Sequence, residues 1–163
     1  MLLRSGTMHK LDRTDTRLLL ALTEDPRSTI VALAEKLGLS RNTVQARMTA
    51  LDASSVLHPF DRRINPVALG YPLTAFISVH LQQHKLGAIV DELSSIPEIV
   101  QAHGLSGTSD LLIRVVCTDA DDLFRITGLI LDCEGVDRAE TSLAMGELIP
   151  FRARPLLERG QDV

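Results

Sequence analysis

The apolar positions along this chain change period near residue 72. Before it they recur at helical spacing; after it, alternation and helical spacing take turns. Leu18, Leu19 and Leu22 form the first stripe. Asp12 opens it as an N-cap with Asp15 three residues on, a variant of the capping box, and Pro26 closes it. Ile30, Leu33, Ala34 and Leu37 form the second stripe, capped by Ser28 or Thr29. Gly38 ends it, because glycine enters the left-handed conformation without a Cβ penalty. Val44, Met48 and Leu51, at i, i+4 and i+7, form the third, capped by Ser40. The pattern predicts three short helices, the third turned sharply across the second. Beyond it Val56, Leu57, Phe60 and Ile64 frame a short hairpin or an extended arm, and Pro59, Pro66 and Pro72 forbid a long helix.

From Pro72 the signal is mixed. Leu73, Ala75, Ile77, Val79 and Leu81 alternate strictly and predict a half-buried strand over 72–82. Leu86, Ile89, Val90 and Leu93 predict a helix over 86–96. A strand over 98–105, a glycine-containing turn and an apolar strand over 110–118 follow. A helix capped within 119–122 carries Leu123, Phe124, Ile126, Leu129, Ile130 and Leu131 and ends at Gly135; a last long strand covers 136–149. The order β-α-β-β-α-β is the ferredoxin-like split unit, one antiparallel sheet backed by two helices. The expected fold is therefore α+β: a three-helix (winged) helix-turn-helix domain at 11–56, a connector at 57–71 and a βαββαβ domain at 72–150. Residues 1–10 are expected to be a frayed extension and 151–163 a tail. The sheet's second face, with Thr74, Phe76 and Ser78, is expected to be apolar too and therefore to need a cover, and a copy of the same face in a two-fold dimer supplies one.

Charge sharpens the two-domain picture. Residues 1–66 carry ten Lys/Arg and seven Asp/Glu, net +3, whereas residues 67–163 carry seven and fourteen, net −7. Only the front half suits a polyanion. The chain has no Trp, one Tyr and four Phe, too few rings for a base-stacking platform on single strands. Cys117 and Cys133 lack metal-ligand spacing and sit among apolar residues, which predicts buried reduced thiols in a cytoplasmic protein. No apolar run is long enough to span a membrane, and the start lacks a signal-peptide core.

The break at Gly38 carries the chemistry. Ala34, Gly38 and Val44 have the Ala-x3-Gly-x5-Val spacing of a helix-turn-helix: a small residue where two helices meet, a glycine at the turn and an apolar plug. The third helix then presents Ser40, Arg41, Asn42, Thr43, Gln45 and Arg47 outward, with no acidic residue between Lys36 and Asp52. Free N–H groups at such a helix start favour phosphate. Arg forks onto guanine, and Asn or Gln onto adenine, in the major groove. A plain helical hairpin with a solvated polar face is the simpler alternative. Arg62 and Arg63 either touch phosphates beside this helix or merely solvate an edge strand. His58 reads as a hinge or packing residue.

Taken together, the fragments resemble the Lrp/AsnC (leucine-responsive, feast/famine) regulators over about residues 11–150. They are Leu11-Asp12-x-x-Asp15, Leu33-Ala34-x3-Gly38-Leu39-Ser40, Val44-x2-Arg47-x3-Leu51, Ile64-Asn65-Pro66-x2-Leu69-Gly70, Gly107-x-x-Asp110-Leu111-Leu112 and Glu140-Thr141. The resemblance implies a one-component transcription regulator that binds double-stranded DNA, with the back half as the amino-acid-sensing and oligomerising (RAM) domain. It implies homodimers that assemble into octamers or similar rings, and no cofactor beyond a small-molecule effector. The implied effector site is the turn Leu105, Ser106, Gly107, Thr108, Ser109 and Asp110, formed between neighbouring dimers with Thr141 nearby. Turn N–H groups would hold a carboxylate, and Asp110 an ammonium; alternatively Gly107 and Asp110 only shape a β-turn. The family often has an aromatic where Ser109 stands and a glycine where Ser55 stands.

Enzymatic chemistry finds no foothold. His80, His84 and His103 form no spaced pair, and no phosphate loop, nucleophile elbow or zinc motif occurs, so neither catalytic nor metal-binding residues are expected. A tetrapyrrole decarboxylase on the same layout is the enzymatic rival. An architectural DNA-binding protein blind to ligands is the other alternative, and a thermal-shift screen of amino acids separates it from a sensor.

Overall fold

The structure is a computed structural model and describes residues 11–57 and 64–159. The chain divides into two compact units, residues up to 62 together with 149 onward, and residues 63–148.

The first unit begins with α1 (Arg13–Glu24), α2 (Ile30–Leu37) and α3 (Arg41–Ala53). The capping box of α1 is complete. The Asp15 N–H donates to Asp12 Oδ1 at 2.8 Å, and the Asp12 N–H donates to Asp15 Oδ2 at 3.1 Å. Thr29 caps α2, accepting from the Ala32 N–H, while the Ser28 hydroxyl turns back to donate to Asp25. Gly38 closes α2 at φ 68°, ψ 37°. A Cβ there would meet nothing within 4 Å, so backbone conformation rather than space selects glycine. Leu18, Leu33, Val44 and Leu51, one from each of α1 and α2 and two from α3, are at most 1% exposed and form the centre of this unit.

Two features here were not expected. The supposed tail contains a short helix, α6 (Arg154–Arg159), whose Leu157 packs on the first unit's core and whose Arg154 pairs with Glu24 and Glu158. Ser55 ends α3 at φ 57°, the only positive φ at a non-glycine among the described residues. The Val56 N–H donates to the Leu51 carbonyl and the Ser55 N–H to that of Asp52, which completes a Schellman motif with a serine in the glycine position.

In the connector, residues 64–71 form no hairpin strand. Pro66–Leu69 make a 3₁₀ turn capped by the Asn65 side chain and closed by Gly70 at φ 91°. Asn65 supplies the acceptor and Pro66 a preset φ, so a turn wins over extended chain. His58, Arg62 and Arg63 lie outside the described residues.

The second unit is β1 (Leu73–Leu81), α4 (Leu86–Leu93), β2 (Ile99–Gly104), β3 (Leu111–Cys117), α5 (Ala120–Leu131) and β4 (Val136–Leu143). The sheet order is β2-β3-β1-β4 with every neighbour antiparallel, the expected ferredoxin-like arrangement. Alternate residues Ala75, Ile77 and Val79 of β1 and Ile113 and Val115 of β3 are fully buried against Ile89 of α4 and Ile126 and Ile130 of α5. Cys117 and Cys133 are both buried and free, and burial pushes both thiols up.

Two boundaries and the character of one face differ from expectation. Strand β4 stops at Leu143 rather than 149, because β1 begins at Leu73 and the Ala144 N–H to the Thr74 carbonyl is the last rung available. Helix α4 stops at Leu93, where the Ser94 and Ser95 hydroxyls bond back to the Val90 and Glu92 carbonyls. The sheet's second face is largely polar. Its rows hold Thr74, Phe76, Ser78 and His80 on β1, Leu112, Arg114 and Val116 on β3 and Arg138, Glu140 and Ser142 on β4, with Phe76 38% exposed. On β1 and β4 alternation leaves mostly polar residues here, while β3 contributes Leu112 and Val116 on either side of Arg114.

Candidate nucleic-acid interface and effector turn

Helix α3 is oriented by its apolar side. Val44 and Leu51 are fully buried, so the opposite side of the first two turns faces out. Arg41, Asn42, Thr43 and Gln45 are exposed. Ser40 caps the helix: the Thr43 N–H donates to its Oγ at 3.1 Å, and the two hydroxyls lie 2.8 Å apart. Ser40 and Thr43 thus hold the helix start, and Arg41, Asn42 and Gln45 make no side-chain hydrogen bond or ion pair to the described residues. Their long polar side chains are available to base edges.

Arg47 departs from the expected outward set. Its Nη1 lies 2.7 Å from Asp12 Oδ2 and 2.7 Å from Asp15 Oδ1. The guanidinium bridges both carboxylates of the α1 capping box. The Asp15 N–H first, and the Arg47 guanidinium next, hold the Asp12 carboxyl below its usual range, and the same carboxylates push Arg47 up. Sequence reasoning found the box but missed the clamp. The Arg17 guanidinium makes a second tie, donating to the Leu37 carbonyl at the end of α2.

The turn between β2 and β3 is fastened at its base. The Leu105 N–H donates to the Asp110 carbonyl at 2.8 Å, and the Asp110 N–H to the Val79 carbonyl at 2.9 Å. The Asp110 carboxylate accepts from the Leu81 N–H at 2.9 Å through one oxygen and from the Gln83 amide through the other. These donors, Leu81 foremost, hold its carboxyl below the usual range. Asp110 is therefore a structural anchor, and the ammonium role expected for it meets a carboxylate already engaged on both oxygens. Above that base Leu105, Ser106, Gly107 and Thr108 are exposed and Ser109 is half-buried. Gly107 has no positive φ, and a Cβ on it would meet nothing within 4 Å. Neither the backbone nor the packing of this chain demands glycine there. Thr141 is not brought to the turn within one chain. It sits on β4 opposite Ile77, and its hydroxyl lies 3.2 Å from that of Thr127 on α5.

No group of three or more His, Cys, Asp or Glu suited to a metal occurs among the described residues, and no described helix is long and apolar enough to cross a membrane. A cavity of about 800 Å³ in the first unit, lined by Leu19, Met48, Val56 and Leu157 among others, shares no residue with the start of α3.

A helix-turn-helix with an acid-free, outward-facing third helix, joined to a split βαββαβ unit, defines a DNA-binding transcriptional regulator with an appended ligand-binding domain. The AsnC-type helix-turn-helix domain description matches residues 11–52, and the Lrp/AsnC ligand-binding domain description matches residues 74–153. The chain belongs to the Lrp/AsnC family of transcriptional regulators. It is 35% identical over 143 residues to the HTH-type transcriptional regulator AldR of Mycolicibacterium smegmatis, an overlap covering 85% of this chain and 83% of that one. It is 30% identical over 135 residues to an HTH-type transcriptional regulator of Pyrococcus abyssi, covering 82% and 85%. Among solved structures, Escherichia coli AsnC shares the fold at a TM-score of 0.80 and 23% identity, covering 90% of this chain and 100% of that one. A transcriptional regulator of Neisseria meningitidis, solved as a complex with L-Met, superposes at 0.77 with 25% identity, covering 86% and 94%.

Proposed function

We propose that the chain reads a specific DNA sequence through Arg41, Asn42 and Gln45, with Ser40 and Thr43 and the free N–H groups of the α3 start meeting phosphate. The observation that carries this reading is the exposed, acid-free start of α3, held outward by fully buried Val44 and Leu51. Arg47 supports the helix from behind through Asp12 and Asp15. Arg62 and Arg63 are assigned to flanking phosphates on charge alone. The protein acts on the bacterial or archaeal nucleoid as a homodimer or a larger ring such as an octamer, and has no catalytic role.

The effector is a free amino acid bound at the turn 105–109, its carboxylate held by turn N–H groups. The neighbour solved with L-Met supports this ligand class. Its ammonium is met by the remaining lone pairs of Asp110, or by a group of a neighbouring subunit. The test is a thermal-shift screen of the twenty amino acids, run on the wild type and on Gly107→Trp. Because the space at Gly107 is open, the variant should melt like the wild type without ligand and lose the ligand-induced shift. An unchanged shift in the variant would move the pocket elsewhere. No shift with any amino acid would favour the ligand-blind architectural reading.

A further inference from the structure

The cavity of about 800 Å³ in the first unit is walled by three parts of the chain. Helix α1 gives Leu22 and Thr23, the later turns of α3 give Met48 and Asp52, and the C-terminal segment gives Ala153 and Leu157. Leu22, Met48 and Leu157 pack on the core yet stay half-buried, because their outer sides face this space. Apart from Thr23, Asp52 and Ser55 every lining residue is apolar, and the Thr23 hydroxyl already donates to the Leu20 carbonyl. Water held there meets few groups that it can bond, and the volume falls in the range of sites that enclose small organic ligands. The one charged group among the lining residues is Asp52. Its carboxylate is exposed and makes no hydrogen bond or ion pair to the described residues.

We propose that this cavity is a ligand site separate from the effector turn, and that its ligand is a hydrophobic ammonium: an aryl or alkyl body with one cationic head and no carboxylate. The body replaces solvent against Leu22, Met48 and Leu157. The head stays beside the exposed Asp52, where it keeps part of its hydration. A lone carboxylate among apolar walls selects an ammonium over other heads, because the ammonium brings both opposite charge and N–H donors. A free amino acid is poorly matched to the same space. Its own carboxylate would lie among apolar side chains, near a like charge, with no cation among the lining residues to meet it. The cavity and the turn at 105–109 thus sort small molecules by whether they carry a carboxylate. The wall that bears Leu157 is positioned by Arg154, which pairs with Glu24 at the end of α1, and Glu24 also pairs with Lys36 of α2. The site therefore spans α1, α3 and the C-terminal segment, and it stands whether or not α3 reads DNA.

The test is calorimetric titration of the full chain with three probes that share a phenylbutyl body and differ in the head: 4-phenylbutylamine, 4-phenylbutanol and 5-phenylpentanoate. The amine should bind about threefold or more tighter than the alcohol and about tenfold or more tighter than the acid, as an exposed ion pair allows. Asp52→Asn should bring the amine down to the alcohol and leave the alcohol as it was. Ala153→Trp fills the space from an exposed position and should weaken all three probes about tenfold or more. Circular dichroism checks that each variant folds, and Leu22→Trp replaces Ala153→Trp if that chain does not. An amine no tighter than the alcohol, a preference that survives Asp52→Asn, or probes indifferent to the tryptophan would each overturn the site. A wild type that binds none of the probes would overturn it too. If a chain lacking residues 1–10 then took up the amine, that segment would be the occupant instead. Amine binding that fades as protein concentration rises would assign the cavity to a second copy of the chain, against the proposal.

Discussion

Arg47 sits two residues from Gln45 on α3, yet its charge serves the inside of the first unit. One guanidinium nitrogen satisfies a carboxylate whose side chain is only 6% exposed, that of Asp15, and a second that caps α1, that of Asp12. Removing it takes the counter-charge from a desolvated acid that keeps only its capping-box bond and other neutral contacts. Arg47→Ala should lower the stability of the first unit by about 1–3 kcal/mol, read as a shifted midpoint in urea with an unchanged slope. A midpoint at the wild-type value would mean that the pair is ornamental and would return Arg47 to the DNA face. Ser55 makes the opposite case. It holds φ 57° where the Schellman turn favours glycine. Ser55→Gly should raise the midpoint by the equivalent of about 1 kcal/mol, since the left-handed penalty on a Cβ disappears; a loss of stability would show that the serine side chain contributes more than its strain costs.

At the scale of elements, the β2–β3 turn is tied to β1 by the Asp110 N–H on the Val79 carbonyl and by the Asp110 carboxylate on the Leu81 N–H. The folded-state carboxyl of Asp110 is held below the ordinary aspartate value of 3.8, by the Leu81 N–H first and the Gln83 amide second. The sign follows: the contribution of Asp110 is fully present above the unfolded-chain value and fades as pH falls through the lower folded one. Amide exchange in 105–110 should therefore accelerate, relative to the core of β3, as pH drops below about 4. Asp110→Asn should show the accelerated turn already at neutral pH. Exchange that tracks the core in both cases would contradict the anchor role. The same comparison of local and distant forces explains what the sequence made legible. Caps at Asp12 and Ser40, the break at Gly38 and the alternation of β1 depend on neighbours within four residues and were readable, and the caps at Thr29 and Asp119 were readable to within a few residues. The end of β4 was not, because a strand extends only as far as its partner does, and β1 starts at Leu73. Helix α6 was not, because six residues held by Leu157 and Arg154 carry too little periodic signal. Within the candidate site, the exposed start of α3 was readable from spacing. The Arg47 clamp and the Gln83 bond to Asp110 were not, because they join residues 32 and 27 positions apart.

For the whole molecule, the division of labour follows the division of charge, net +3 in residues 1–66 and net −7 in residues 67–163. The acidic half gains nothing from a polyanion, so contacts to DNA concentrate on the first unit, and a dimer presents two such units. Two copies of α3 should then address half-sites roughly 34 Å apart or a multiple of it. The central claim is that the acid-free start of α3 reads base edges. Its most direct test is fluorescence anisotropy at fixed salt on a DNA fragment selected from a random library by the wild type. Affinities of Asn42→Ala and Gln45→Ala are compared on that fragment and on unrelated DNA. The account predicts that each variant loses about tenfold or more on the selected fragment, keeps wild-type affinity for unrelated DNA, and melts at the wild-type temperature. Both variants binding the selected fragment as tightly as the wild type would contradict it.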